Sequence, residues 1–315
     1  MTNLIMSVTI DTECDKSPTW LNSDPLTFRS VREGIPEKLQ PLFNEFDIKP
    51  TYFLSPEVIE DSKCKEVLSL IKNDCELGTH LHADFIEPER NCENLNGFNA
   101  DAFQTDFSKE VEFEKLKNLS NLFENAFSKK PLVFRAGRYA ANVNTINSLL
   151  RLGYKVDSSF TPHIKWKGPK GSLIDHTNSP EQPYFINKND IYKSSKDGLL
   201  EVPVTIVESR KYFIRKKNLW LRPKFSNLKE INQIIDYVIK RYAYLDQVFL
   251  TMMFHSQEVI PNASPYTKSE REVLEYINFL YDCFSLASRR RIKFMTLEEI
   301  YNLLSEEKSD PNREF

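Results

Sequence analysis

Four short stretches of this 315-residue chain hold the side chains that could do chemistry. Thr9-Ile10-Asp11-Thr12-Glu13 sets two carboxylates directly after an apolar run. One could accept a proton and the other could hold a cation; the plainer alternative is a turn or helix-capping aspartate. Leu77-Gly78-Thr79-His80-Leu81-His82-Ala83-Asp84 brings two histidines and an aspartate close together. Imidazole and carboxylate suit zinc and similar divalent ions, and an H-x-H pair on extended backbone places both rings on one side. In Phe134-Arg135-Ala136-Gly137-Arg138-Tyr139, Arg135 or Arg138 could orient a site carboxylate and Tyr139 could wall a pocket. For Arg138, plain surface solubility carries more weight. Thr251-Met252-Met253-Phe254-His255-Ser256-Gln257-Glu258 sets a histidine directly after a strongly apolar run. Imidazole titrates near neutrality and could act as a general acid, against the commoner buried structural histidine.

Each stretch follows a strand-like run. Strands are predicted at Leu4–Ile10, Pro50–Leu54, Cys75–His80, Pro131–Phe134, Tyr154–Val156, Leu199–Val207, Val248–Phe254 and Ile292–Met295. Between them, apolar residues recur at helical spacing: Ile35, Leu39, Leu42, Phe43 and Phe46; Leu116, Leu119, Phe123 and Phe127; Leu228, Ile231, Ile235, Val238 and Tyr242; Val273, Ile277, Leu280 and Phe284. Capping-box patterns, Thr267–Glu270 and Thr296–Glu299, are expected to open the last two helices. Alternating strands and helices predict a parallel sheet, with seven or eight units favouring a closed or nearly closed barrel. Such sheets gather polar residues at the C-terminal ends of their strands, where all four stretches fall. Two long polar stretches, Asp84–Asp106 and Thr161–Lys196, interrupt the pattern and read as loops. Residues 1–305 are expected to form one domain, and 306–315 a polar tail.

Composition narrows the function. Hydrophobic residues make up 40% and charged residues 28%, as in ordinary globular proteins. The net charge of -3 argues against a sequence-independent grip on nucleic acid. Five cysteines form no CxxC pair, which points to free thiols in a reducing compartment. With no signal-peptide pattern and no apolar run of about 18 residues, a cytoplasmic protein without a transmembrane segment is expected.

Together the stretches resemble the polysaccharide deacetylases of the NodB-homology fold (carbohydrate esterase family 4), over about residues 5–300. Thr9–Glu13 is similar to that family's aspartate-bearing strand end, Pro50–Leu54 to its second strand and Gly78-Thr79-His80 to the start of its histidine motif. Phe134–Tyr139 is similar to its arginine motif, and Phe254-His255-Ser256 to its last. The wording, with Ser264-Pro265-Tyr266 downstream, most resembles a branch found with bacterial surface-glycan genes. The resemblance implies a distorted (β/α) barrel of about seven parallel strands. It implies hydrolysis of an acetamido, or by family precedent a formamido, sugar with one divalent metal, zinc first among the candidates. By position Asp11 would be the general base, held by Arg135, and Glu13 and His80 would be metal ligands. Tyr139 would line the pocket, Met253 would face the acetyl methyl group, and His255 would protonate the leaving amine. Thr12 stands where the family has a second aspartate, and Asp84 where it has a second histidine. The next ligand is then His82 or Asp84. The arginine motif lacks its usual proline and has an extra residue, which leaves Arg138 as an alternative pocket residue.

The expected substrate is an N-acylated sugar or glycan intermediate, nucleotide- or lipid-linked. The basic and aromatic run Arg210–Arg222 could approach phosphates or a membrane surface, though a solvated connector is the simpler reading. Two other functions fit the residues less well. One is a carbohydrate-binding or assembly protein without chemistry, against which the joint retention of Asp11, His80, Arg135 and His255 argues. The other is a metal-independent hydrolase using Asp11 and His255. The sequence leaves the oligomeric state open.

Overall fold

The computed structural model describes residues 2–92, 102–168, 170–211 and 215–308. Parts of two stretches singled out above, 93–101 within Asp84–Asp106 and 212–214 within Arg210–Arg222, lie outside the described residues.

The apolar run after the N-terminus forms β1 (Asn3–Thr12), buried from Ile5 to Thr12 as a strand covered on both faces must be. The other strands are β2 (Thr51–Leu54), β3 (Glu76–Leu81), β4 (Val133–Ala136), β5 (Val156–Asp157), β6 (Lys165–Lys167), β7 (Leu173–Asp175), β8 (Tyr184–Asn187), β9 (Asp190–Ser194), β10 (Leu200–Glu201), β11 (Ile206–Lys211), β12 (Arg215–Trp220), β13 (Gln247–His255) and β14 (Lys293–Phe294). The main sheet runs β13-β1-β2-β3-β4-β5-β10-β8-β9, with β14 beside β1. The first seven strands of that order are mutually parallel, as expected, and β8 and β9 extend the sheet antiparallel. Among the described residues β13 and β9 do not pair, so the curled sheet stays a half-barrel.

Two expectations about strands need correction. The Leu199–Val207 run divides into β10 and the start of β11. Thr161–Lys196, read as a loop, contains β6 to β9. Lys165 and Lys167 of β6 are exposed and β9 is only half buried, so these strands lack the apolar alternation that marks a strand in sequence.

Period-two alternation sorts the sheet into two faces. Met6, Val8, Ile10, Tyr52, Leu54, Phe134, Met252 and Phe254 share one core with Ile35, Leu39, Phe43, Leu116, Ile235 and Phe284 from the helices. The opposite face carries Ile5, Phe53, Val133, Val156, Leu200 and Phe249, packed on Leu297 and Ile300 of the final helix, Leu297–Lys308. The expected Thr296–Glu299 box starts this helix, with the Thr296 amide donating to Glu299 and the Glu299 amide to Thr296. The helix passes the expected tail boundary at Glu306 and runs to Lys308. The helix Glu270–Arg289 is capped not by Thr267 but by Ser269, whose hydroxyl accepts from the Glu272 amide. All five cysteines are buried free thiols. No helix among the described residues is long and apolar enough to cross a membrane.

Candidate active site

The register of the parallel strands brings the four stretches together. Asp11 on β1 lies beside His255 on β13, and His80 on β3 beside Arg135 on β4. On the face opposite the helix-packed core, the strands change from apolar residues to Thr9, Asp11, His80, Arg135, Met253 and His255. Glu13 and His82 follow just beyond β1 and β3.

Glu13, His80 and His82 converge. The Nε2 atoms of His80 and His82 stand 3.4 and 3.2 Å from Glu13 Oε1, and 3.2 Å from each other. Ligands about 2.0–2.1 Å from a tetrahedral zinc ion stand roughly 3.3 Å apart, so this spacing fits one small divalent cation. His80 Nδ1 donates to the Arg135 carbonyl at 3.0 Å, so Nε2 is the ring atom turned to the cluster. Burial alone would push the Glu13 carboxyl up, but the charge of His82 and hydrogen bonds from both histidines hold it well below the usual range. Asp84 is outside this cluster: it accepts from the Ala102 amide at 3.1 Å, and burial raises its pKa. Of the two candidate ligands, the geometry brings in His82.

Arg135 is fully buried and its donors are distributed among fixed partners. Nη1 donates to Asp11 Oδ1 at 2.7 Å, Nε to the Ser158 carbonyl at 2.8 Å, and Nη2 to Thr9 Oγ1 and Ser158 Oγ at 2.9 Å each. The guanidinium lies 4.4 Å from the centre of the Phe53 ring. Burial opposes ionisation of Asp11, but the charges of Arg135, His80 and His255 outweigh it and lower its pKa. Arg138 takes a different place. It is exposed, with φ 54°, and its charge is felt by Asp84.

His255 closes the far side. Its Nε2 stands 4.0 Å from Asp11 Oδ2 and 3.8 Å from Glu13 Oε1. Its Nδ1 lies 3.3 Å from Glu258 Oε1 and 3.1 Å from Arg222 Nη2. Glu258 is fully buried and also accepts from Tyr276 at 2.7 Å and from Arg222 at 3.1 Å. Burial raises the Glu258 carboxyl, yet the His255 hydrogen bond and the Arg222 charge bring it below its usual value. Arg222 was read above as the end of a solvated basic run. Its side chain is instead buried and turned inward.

Tyr139 and Met253 lie in one buried cluster with Val204, Ile206 and Trp220. Tyr139 has φ 59° and stacks on Trp166 with ring centres 5.5 Å apart. Its hydroxyl is buried without a hydrogen-bond partner, and burial, then the Asp11 charge, pushes its pKa up. An unpaired buried donor beside a reactive cluster suits a bound group that completes it.

No sequence-family profile matches the chain, and no curated protein matches it by sequence. Solved structures do. A polysaccharide deacetylase candidate from Mycobacterium smegmatis aligns over 100% of this chain and 94% of its own, at TM-score 0.58 and 14% identity. The Puue allantoinase aligns over 98% of this chain and 92% of its own, at TM-score 0.58 and 12% identity. A 4-alpha-glucanotransferase from Thermococcus litoralis aligns over 96% of this chain but 40% of its own, at TM-score 0.56 and 12% identity. The chain therefore has the NodB-like fold of the carbohydrate esterase family 4 proteins. These neighbours differ in chemistry, so the reaction has to be argued from the site.

Proposed function

We propose that this NodB-like chain is a metal-dependent hydrolase that removes an acetyl or formyl group from the nitrogen of an acylated sugar. The observation that carries this reading is one constellation: a carboxylate clamped by a buried arginine, a Glu-His-His cluster beside it, and a histidine facing both from 3.8–4.0 Å.

Glu13, His80 and His82 would hold the ion. A divalent cation bound there supplies a Lewis acid that polarises the acyl carbonyl and makes water nucleophilic near neutral pH. Arg135 occupies Asp11 Oδ1 and leaves Oδ2 facing His255, 4.0 Å away. Asp11 is ionised at neutral pH and takes the proton of the water that adds to the acyl carbon. The C–N bond then breaks, and the amine nitrogen needs a proton to leave. His255 Nε2 is positioned to give it, on the side of the site away from Arg135. Glu258 and Arg222, 3.3 and 3.1 Å from Nδ1, hold the ring in place. Tyr139, Trp166 and Trp220 give an aromatic wall against which a sugar ring can pack, and Met253 supplies an apolar surface for a small acyl group.

The substrate most consistent with the motifs is a cytoplasmic precursor of a bacterial surface glycan. Zinc is the first ion to try. The test is elemental analysis of purified protein and its His80→Ala variant, followed by amine release from acetamido and formamido sugars. About one equivalent of metal, lost in the variant together with turnover, is expected. Metal-free protein that binds glycans without turning them over would favour the binding-protein alternative, and turnover that survives a chelator the metal-independent one.

A further inference from the structure

We infer that Lys16 sets the metal affinity of this site, by holding one oxygen of Glu13 away from the ligand cluster and fixing a positive charge beside it. The inference rests on the reading of Glu13, His80 and His82 as metal ligands.

The two oxygens of Glu13 have different surroundings. Oε1 faces His80, His82 and His255 at 3.4, 3.2 and 3.8 Å. Oε2 faces away, 3.7 Å from Lys16 Nζ and 3.5 Å from Gln257 Nε2. The carboxylate can therefore offer one oxygen to a cation while the lysine and glutamine hold the other.

Lys16 is not a surface lysine that happens to lie near. It is only 6% exposed. Its ammonium also donates to Asn22 Oδ1 at 2.5 Å and to Cys14 Sγ at 3.5 Å. Its backbone is bridged to Asn22, and its amide donates to the Ala263 carbonyl at 2.9 Å. The preceding residue is fixed as well, with the Asp15 carboxylate accepting from the Arg29 and Ser30 amides at 2.7 and 3.0 Å. Moving the charge away would dismantle the whole turn after β1. A cation entering the cluster consequently meets a ligand whose charge is already shared with a fixed ammonium, in surroundings that screen charge poorly.

Two consequences follow. Glu13 would offer a cation one oxygen while the other stays with Lys16 and Gln257. The ion is held less tightly than its three side-chain ligands alone would hold it.

The test compares Lys16→Met and Lys16→Gln, which remove the charge, with Lys16→Arg, which keeps it. Dissociation constants for Zn2+ and Co2+ are read on metal-stripped full-length protein by competition with a chromophoric chelator, with circular dichroism as the check on folding. Both charge-free variants are expected to bind about tenfold or more tightly than wild type, and Lys16→Arg close to wild type. General structural damage would weaken binding, so tightening is diagnostic. Lys16→Gln keeps a donor for Asn22 and carries the test if Lys16→Met does not fold. Metal uptake by wild type with equal or weaker binding in the charge-free variants would overturn the role of Lys16 and leave the hydrolase reading standing. No uptake by any form, wild type included, would overturn both.

Discussion

His255 meets the site with one ring nitrogen and its own support with the other, and that division makes it separable from the metal cluster. Its Nε2 stands 3.8 Å from Glu13 Oε1 and 4.0 Å from Asp11 Oδ2, beyond hydrogen-bond reach of both, and it keeps 15% of its surface exposed. His255→Gln is therefore expected to lower kcat by about 10²–10⁴ with metal content unchanged, measured by turnover and elemental analysis on one preparation. Turnover within a few-fold of wild type would remove His255 from the acid role. The main partners at this scale were legible in sequence. Asp11, His80, Arg135 and His255 each close an apolar run, and parallel strands collect such ends. Glu258 and Arg222 stood inside stretches noted in the sequence but were given no role at the site. Glu258 reaches His255 only because the chain turns helically over Ser256–Val259. Arg222 comes from beyond β12, with no spacing relation to the histidine it touches. H-x-H alternation suggested that His82 could join His80, but only the fold shows Asp84 turned away to the Ala102 amide.

The ladder between β5 and β10 holds a second acidic pair, distinct from the site. Asp157 and Glu201 are register partners, both fully buried, each with one carboxylate oxygen lacking a partner. Burial pushes both up, Asp157 to about 6, and the Asp157 charge raises Glu201 further. The sign follows from the direction. The folded chain prefers the protonated form, so the contribution to stability is full below the unfolded value of 3.8 and is lost as pH rises through about 6. Asp157→Asn can keep the Ser159 contact without the charge. It is expected to be more stable than wild type at pH 8, by up to about 3 kcal/mol, with the gain shrinking toward pH 4. Urea melts at the two pH values check this, and an equal difference at both would reject it. Sequence showed β1, β2 and β13 well because apolar residues dominate them. It missed β6, β7 and β9 because such short, partly exposed strands carry no period to read, and β8 because four residues are too few for one, although they are mostly buried.

For the whole molecule, the three expected ligands come from the ends of two non-adjacent strands, β1 and β3, with β2 between them. An ion at their meeting point ties these strand ends together, so binding should register as global stability. Metal-stripped protein is expected to melt lower than protein with excess Zn2+, by an amount equivalent to about 2.7 kcal/mol at a hundredfold excess over the dissociation constant. Identical melting curves with and without the ion would mean that it does not bind the native state. The seven parallel strands were legible because alternating strands and helices leave few other arrangements; the antiparallel extension through β8 and β9 was not, since strands of four and five residues inside a long polar stretch give no sustained pattern. Arg135 has a consequence of a different kind, for descent. It is wholly enclosed, and Asp11 is its charge partner. Removing Asp11 would strand a buried cation at about 3–5 kcal/mol, a large part of the 5–15 kcal/mol that keeps a typical domain folded. A lineage that gave up the reaction would thus be held to Asp11 by folding long after selection for turnover had ended, while His255, at the rim, was free to drift. Among divergent descendants of this chain, His255 is the position whose loss would date the end of catalysis.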